Sequence, residues 1–247
     1  MSANLPDKAI QKLDKALLAL NIHVSGNELE KLYRYFVLLT EKNKVMNLTA
    51  ITEYDDVINK HFADSLAPLS FPETHEILLI RGIKILDLGT GAGFPGLPLA
   101  IALPQAEIIL ADSLQKRTRF LQEVKEKLKI NNIQIVNARA EDLGKDIEYR
   151  ESNDVVVSRA VADLRVLSEY CLPLVRENGS FLSWKGTNAE KEIETAENAI
   201  KELGGKTENI YRYTISEEQR IIIHTKKTGK TPEKYPRRAG IPSKRPL

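Results

Sequence analysis

From residue 83 onward, short apolar runs alternate with longer amphipathic segments. The runs are apolar at nearly consecutive positions, which is typical of strands buried on both faces, and the segments between them have helical spacing. Such a strand, helix, strand order indicates a parallel sheet covered by helices on both sides. The predicted strands are 83–88, 107–112, 133–138, 154–158 and 180–184, and the predicted helices are 95–103, 114–128, 164–175 and 189–203.

Both ends of the chain depart from this alternation. Two apolar runs, 206–215 and 219–227, are joined by a short Ser-Glu-Glu-containing connection without a helix, which predicts an antiparallel pair at the sheet edge. The first eighty residues show only helical spacing. We therefore predict a Rossmann-like α/β sheet, mostly parallel with an antiparallel edge. The predicted division is a helical cap (1–80), an α/β domain (81–227) and a basic tail (228–247).

A glycine-rich loop, DLGTGAGFPG, joins the first predicted strand to the first helix of the sheet. In open α/β sheets this position is the usual ligand crevice, and glycine permits positive φ and close approach of a ligand. Gly91, Gly93 and Gly96 also fit G-x-G-x-x-G, a dinucleotide fingerprint that is weak evidence alone. A phosphate, an adenosine-type cofactor or a tight turn would each explain the glycines.

Two acids favour an adenosine cofactor that carries an amino group. Asp87 ends the first strand, where a carboxylate suits a cationic amino group better than a pyrophosphate. The glycines at 89, 91 and 93 also alternate earlier than a pyrophosphate turn requires. Asp112 ends the second strand, where an acid accepts hydrogen bonds from the ribose of NAD or of S-adenosylmethionine. Capping of the next helix is the other interpretation of Asp112.

The later strands bring further polar residues to the same rim. Residues 139–142 follow the third strand, where an adenine ring would lie between an apolar residue and a polar acceptor. Ser158, Arg159 and Ala160 end the fourth strand, and Arg159 is placed to bind a carboxylate or a phosphate, or to form a surface salt bridge. Lys185 ends the fifth strand and is a candidate for binding nucleic-acid phosphate.

The charge of the chain is unevenly distributed. The net charge is +2, yet the segment from residue 226 onward is +7 and the rest of the chain is −5. A basic tail on an acidic body indicates a polyanionic partner, although a solvated, disordered tail has the same composition. The eight basic residues of this segment are Lys226, Lys227, Lys230, Lys234, Arg237, Arg238, Lys244 and Arg245.

Composition excludes several classes of protein. The single cysteine, Cys171, excludes a disulfide framework and a cysteine-rich zinc cluster, and we expect no metal. The N-terminus has no signal-peptide pattern, and no apolar run has the length of a membrane span. We therefore expect a cytoplasmic protein that does not act at a membrane.

Several motifs together resemble those of the ribosomal RNA small subunit methyltransferase G family, also called glucose-inhibited division protein B. The resemblance extends in order from about Asn47 to the C-terminus. A generic methyltransferase would share only the glycine loop and the acid that follows it. The motifs are NLTAI, HFADSL, LDLGTGAGFPGLPLAI, LADSLQKRTRFL, VVVSRAVADL, SWKG and YPRRAGIPSKRPL.

The resemblance implies a class I methyltransferase that uses S-adenosylmethionine to methylate N7 of guanine 527, in the 530 loop of 16S rRNA. It implies cofactor contacts at Gly89, Phe94, Ala140, Glu141 and Arg159. The pattern of glycines and acids described above, independently of the resemblance, adds Gly91, Gly93 and Asp112 to this cofactor site. The small ribosomal subunit is the implied partner, with RNA contacts expected at Lys185, Arg237, Arg238, Lys244 and Arg245.

Guanine N7 has a free lone pair and no proton, so its methylation needs no general base. We therefore predict catalysis by alignment and nominate no catalytic residue. His61 and Asp64 lie at helical i, i+3 spacing, and helix packing or capping is the favoured interpretation over a catalytic dyad. Two other functions remain open. One is a non-catalytic RNA-binding or ribosome-binding module. The other is an NAD(P)-linked oxidoreductase, which would need a catalytic pair such as Tyr-x-x-x-Lys, and this sequence has no Tyr-x-x-x-Lys.

Overall fold

A computed structural model of the chain describes residues 5–159, 162–186 and 189–247. Its centre is a seven-stranded sheet with the order β3-β2-β1-β4-β5-β7-β6. The first five strands are parallel, β7 runs antiparallel to β5, and β6 pairs with β7 at the edge. The predicted sheet is confirmed. Its strands are β1 (Lys84–Leu88), β2 (Glu107–Asp112), β3 (Ile133–Asn137), β4 (Asn153–Arg159), β5 (Val175–Lys185), β6 (Gly205–Ile215) and β7 (Glu218–Lys227).

Helices precede the sheet and cover both of its faces. A π-helical turn, Ile58–Ala63, joins α3 to α4, and 3-10 turns follow α4 (Ala67–Ser70) and α9 (Leu172–Leu174). The α-helices are α1 (Leu5–Leu18), α2 (Gly26–Met46), α3 (Tyr54–Val57), α4 (Asp64–Leu66), α5 (Pro72–Leu78), α6 (Gly96–Ala102), α7 (Gln115–Leu128), α8 (Ala140–Leu143), α9 (Leu164–Cys171), α10 (Ala189–Glu202) and α11 (Ile241–Lys244).

The N-terminal helices share one apolar core with a face of the sheet. Leu13 of α1 and Leu32 of α2 are fully buried in the same cluster as Ile85 of β1. Tyr35 of α2 is also buried, and its hydroxyl donates a hydrogen bond to the carbonyl oxygen of Ala92 at 2.6 Å. The helical cap therefore contacts the glycine loop and supports it.

The residues after β7 fold back onto the protein. Thr231 and Tyr235 are buried, and the guanidinium of Arg150 donates to their carbonyl oxygens at 2.9 and 2.8 Å. The disordered-tail interpretation is therefore wrong, because the body of the protein supplies buried polar partners for this segment. Within the described part of the chain, no helix has the length and apolar character needed to cross a membrane.

Candidate functional site

Two cavities flank the glycine loop at the carboxyl ends of the parallel strands. The first cavity, of about 470 Å³, lies at the ends of β1, β2 and β3. It brings together four of the predicted cofactor residues, from three strand ends that are distant in sequence. Its lining is Leu88, Gly89, Ala111, Asp112, Ser113, Leu114, Arg117, Ala138, Arg139, Ala140, Glu141 and Tyr170.

The glycine loop has the backbone conformation that its sequence predicts. Gly89, Gly91 and Gly93 have φ of 74°, 62° and 116°, a region that other residues rarely adopt. The N–H of Gly91 donates to Asp112 Oδ2 at 2.9 Å, which connects the loop to the end of β2. A Cβ on Gly91 would meet only the carbonyl oxygen of Gly89, at 3.9 Å.

The last two glycines of the literal G-x-G-x-x-G face protein atoms. A Cβ on Gly93 would lie 2.9 Å from the Tyr35 hydroxyl and 3.0 Å from Leu121. A Cβ on Gly96 would lie 2.7 Å from Asp87 Oδ2. These two glycines are required by close packing, and Gly93 does not line either cavity.

Asp112 lies both at the first cavity and at the start of the next helix. Its side chain lines the first cavity and is only 3% exposed. Oδ1 accepts the N–H of Leu114 at 2.8 Å, just before α7, and Oδ2 is also 3.1 Å from Arg117 Nη1. Asp112 therefore orders the loop and the start of the helix while it presents a carboxylate at the cavity.

Asp87 lies beneath the loop and outside the cavity lining. Its side chain is fully buried, and Oδ2 accepts the N–H of Gly96 at 2.7 Å. Burial raises the pKa of this carboxyl to about 7. Oδ1 and the nearby Thr90 hydroxyl have no hydrogen-bond partner among the described residues. The structure thus gives the Asp87 side chain a loop amide as its partner.

The third strand and α9 complete the wall of the first cavity. Ala140 and Glu141 are the first residues of α8, as close to β3 as the sequence predicts. Tyr170 was missed, because the helical spacing of α9 predicts only core packing for it. Tyr170 belongs to α9, which follows β4, and it reaches the cavity at the ends of β1, β2 and β3 through tertiary packing, so no local signal identifies it.

The second cavity, of about 570 Å³, lies beside β4 and β5. Arg159 lines this cavity, and Phe94 borders it through ring contacts with His61 and Arg159. The predicted cofactor residues are thus divided between the two cavities; Ala160, predicted on the same rim, lies outside the described residues. The second cavity is lined by Ile51, Lys60, His61, Asp64, Arg159, Ala162, Trp184, Lys185, Gly186, Glu192 and Arg220.

A buried ion pair organises the second cavity. Arg159 Nη1 donates to Asp64 Oδ2 at 2.7 Å, and the two side chains are 13% and 6% exposed. Tyr213 donates its hydroxyl proton to Asp64 Oδ1 at 2.7 Å, and Trp184 Nε1 donates to the Asp64 carbonyl oxygen at 2.8 Å. Asp64 therefore ties its helix to β4 and β6 through its carboxylate, a packing contact that reaches beyond the helix itself.

The His61 side chain is a neutral aromatic ring that lines the second cavity. Its ring stacks on Phe94 with centroids 4.3 Å apart, and Nε2 lies 3.0 Å from the Thr49 hydroxyl. Burial, together with the positive charge of Arg159, lowers the pKa of His61 to about 3. At neutral pH this imidazole is uncharged and is a weak base.

The predicted RNA-binding residues have different surroundings. Lys185 lines the second cavity, and its ammonium is bound by Glu192 at 2.7 Å. The guanidinium of Arg237 is directed to the buried carboxylate of Glu169. Arg238, Lys244 and Arg245 are exposed, and none of the predicted residues in the basic segment lines either cavity. Among the described residues, no group of three or more His, Cys, Asp or Glu side chains is placed to hold a metal ion.

The strand order and the crevice at its carboxyl ends define the class I methyltransferase fold. A crystal structure of a 16S rRNA (adenine(1408)-N(1))-methyltransferase variant from Catenulisporales acidiphilia superposes with a TM-score of 0.51 at 15% identity. The match covers 64% of this chain and 91% of that chain.

Sequence comparison narrows this class to one family. The sequence model of rRNA small subunit methyltransferase G matches residues 28–222. Ribosomal RNA small subunit methyltransferase G of Desulfitobacterium hafniense is 47% identical, over 92% of this chain and 93% of the relative. That of Clostridium kluyveri is 44% identical, over 95% and 97%. The chain belongs to the rRNA small subunit methyltransferase G family, as its motifs indicated.

Proposed function

We propose that this protein transfers a methyl group from S-adenosylmethionine to N7 of guanine 527 in 16S rRNA. The proposal rests on the family of the chain and on one observation. The second cavity is lined by cations and aromatic rings, and none of its described lining residues is free to act as a general base. Action on the small ribosomal subunit would place the protein in the cytoplasm. Within the proposal, residues 1–80 form a supporting cap, 81–227 the catalytic domain and 228–247 a basic segment.

The first cavity has the donors and acceptors that fit S-adenosylmethionine. Asp112 presents a carboxylate for two ribose hydroxyls, and Glu141 and Ala140 supply a polar and an apolar neighbour for adenine. The open space above Gly91 leaves room for close approach of a ligand to the backbone. When bound, the cofactor supplies an electrophilic methyl group on a sulfonium.

The second cavity is suited to a nucleophile that has no proton to lose. His61 has a pKa of about 3, both Asp64 oxygens accept hydrogen bonds, and Glu192 binds Lys185 and the N–H of Leu164. Guanine N7 attacks with its own lone pair, so these residues need only orient the base. Alignment then provides the catalysis.

Cations around the second cavity favour an RNA substrate. Lys60, Lys185 and Arg220 line it beside Arg159, and phosphate oxygens compete well for such partly paired cations. The Hoogsteen edge that carries N7 is accessible in a loop nucleotide. We include the exposed Arg238, Lys244 and Arg245 as outer phosphate contacts, and Arg237 as a residue that positions them.

The experiment is methyl transfer to 30S subunits purified from a strain that lacks this activity. Labelled S-adenosylmethionine is added, and the extracted 16S rRNA is cleaved chemically at 7-methylguanine. We expect label in 16S rRNA and cleavage at one guanine. Label without cleavage would refute N7 as the acceptor, and absence of label would refute methyl transfer and favour the non-catalytic binding module.

Matched variants make this experiment specific to the site. Asp112→Ala should lose most of the label at a limiting cofactor concentration and regain it at saturation. Lys12→Ala removes an exposed ion pair with Asp55, outside both cavities, and should behave like the parent. Equal loss of label in both variants would indicate general damage and would contradict the assignment of Asp112.

A further inference from the structure

The chain ends in a strap, residues 231–247, that lies against the wall of the first cavity. The first half of the strap is bound to the rest of the protein by hydrogen bonds from its backbone and from its side chains. Thr231 donates its N–H to Glu151 Oε1 at 2.7 Å, and the hydroxyl of Tyr235 donates to Glu202 Oε1 at 2.6 Å. Pro236 packs so closely on Gly144 that a Cβ there would lie 2.7 Å from the proline ring.

Arg237 is the central anchor of the strap. Its N–H and Nε donate to Glu169 Oε1 at 2.8 and 2.9 Å, and Nη2 donates to Oε2 at 2.5 Å. The Glu169 side chain is fully buried. A bidentate pair of this kind is strong, and removing one partner would leave a buried charge uncompensated. The strap therefore stays bound in the folded protein.

The second half of the strap contacts two residues that line the first cavity. The N–H of Gly240 donates to Glu141 Oε1 at 3.3 Å, and the Ser243 hydroxyl lies 3.2 Å from that of Tyr170. Leu247 packs against the apolar cluster that borders Ala140. The polar atoms of both cavity residues are thus oriented from outside by the end of the chain.

We propose that the strap is a positioning element of the cofactor site, which holds Glu141 and Tyr170 in place for the adenosine end of the cofactor. This inference rests on the proposed function. The anchors of the strap, including the charged Arg237, face the protein, whereas the cations Arg238 and Lys244 are exposed. Shortening the strap should therefore weaken cofactor binding, and neutralising its exposed cations should not.

Titration calorimetry with S-adenosylmethionine tests the inference on three proteins. The full chain is compared with a chain that ends at Ala239 and with the double variant Arg238→Ala, Lys244→Ala. For the shortened chain we expect a Kd about tenfold higher, which corresponds to the free energy of roughly one to two hydrogen bonds. For the double variant we expect a Kd within about twofold of that of the full chain. In methyl transfer, the variant Ser243→Ala, which keeps every cation of the strap, should raise KM for the cofactor with kcat unchanged.

A second pair of variants keeps the inference testable where shortening prevents folding. Ser243→Ala should raise the Kd about threefold, and Ser243→Thr, which keeps the hydroxyl, should restore it. Equal Kd values for the full chain and the shortened chain, or for Ser243→Ala and the parent, would overturn the positioning role. Failure of the full chain to bind S-adenosylmethionine would instead refute the proposed function.

Discussion

The ion pair between Asp64 and Arg159 gives the most direct test of the second cavity. Asp64→Asn keeps the size of the side chain and removes its charge, and it leaves the backbone carbonyl bond to Trp184 intact. The 2.7 Å hydrogen bond then loses the negative charge of its acceptor, whereas the Arg159 donor keeps its positive charge. Hydrogen bonds to charged groups contribute about 1.5–3 kcal/mol, and breaking buried pairs costs about 3–5 kcal/mol.

We expect Asp64→Asn to lower the free energy of unfolding by about 2 kcal/mol, because asparagine still accepts one hydrogen bond. For a protein of this size that corresponds to a fall in Tm of roughly 4–8 °C. Tyr213→Phe removes only a neutral donor to the same carboxylate and should cost about 1 kcal/mol. The comparison separates the charge from the surrounding hydrogen bonds.

The assay is urea unfolding followed by fluorescence of Trp184, the single tryptophan of the chain, which itself binds Asp64. A double-mutant cycle of Asp64→Asn with Arg159→Met isolates the pair from other effects of each substitution. We expect a coupling energy of about 2 kcal/mol. A coupling energy below about 0.5 kcal/mol, the level found for independent sites, would refute a buried ion pair between these two residues.

Three further outcomes follow from the glycine loop and its acids. Gly93→Ala should destabilise the protein by about 2–3 kcal/mol because its Cβ meets the Tyr35 hydroxyl at 2.9 Å, and Gly91→Ala by about 1 kcal/mol through positive φ alone; the reverse order in urea unfolding would contradict the packing. Asp87→Asn should gain stability relative to the parent as pH rises from about 4 to about 7, by up to about 1.4 kcal/mol per pH unit. The reason is that the folded parent, with a pKa of about 7 at Asp87, keeps a proton there that the unfolded chain releases earlier; parallel stability curves over this range would show that Asp87 is not perturbed. Asp112→Ala should weaken S-adenosylmethionine binding by about 1–3 kcal/mol in calorimetry, and unchanged affinity in a folded variant would remove Asp112 from the site.

Local patterns in the sequence predict where the first cavity lies and four of the residues that line it. Gly89, Asp112 and Ala140 each lie at or just beyond the end of a predicted strand, and the carboxyl ends of parallel strands meet at one edge of a sheet. The structure places all three in one cavity. Strand spacing and glycine content were sufficient because these residues are positioned by the backbone of the sheet itself.

The second cavity depends on contacts that no local pattern encodes. Asp64 and Arg159 are separated by 95 positions, and they meet because the N-terminal helices pack against the end of β4. Spacing within HFADSL predicts only which residues share a helix face. Whether a carboxylate on that face meets another helix, solvent or a cation is decided by how the elements pack.

The sequence by itself determined the sheet, the position of the glycine crevice and, through its motifs, the family. The tertiary structure alone decided which polar groups face a ligand and which face protein: Gly93 faces Tyr35, Asp87 binds a loop amide, and Arg237 binds Glu169 across 68 positions. The physical reason is that periodicity and strand ends are properties of the local backbone. The environment of a charge is a property of the whole packed chain, so the same basic composition can be a free tail or an ordered strap.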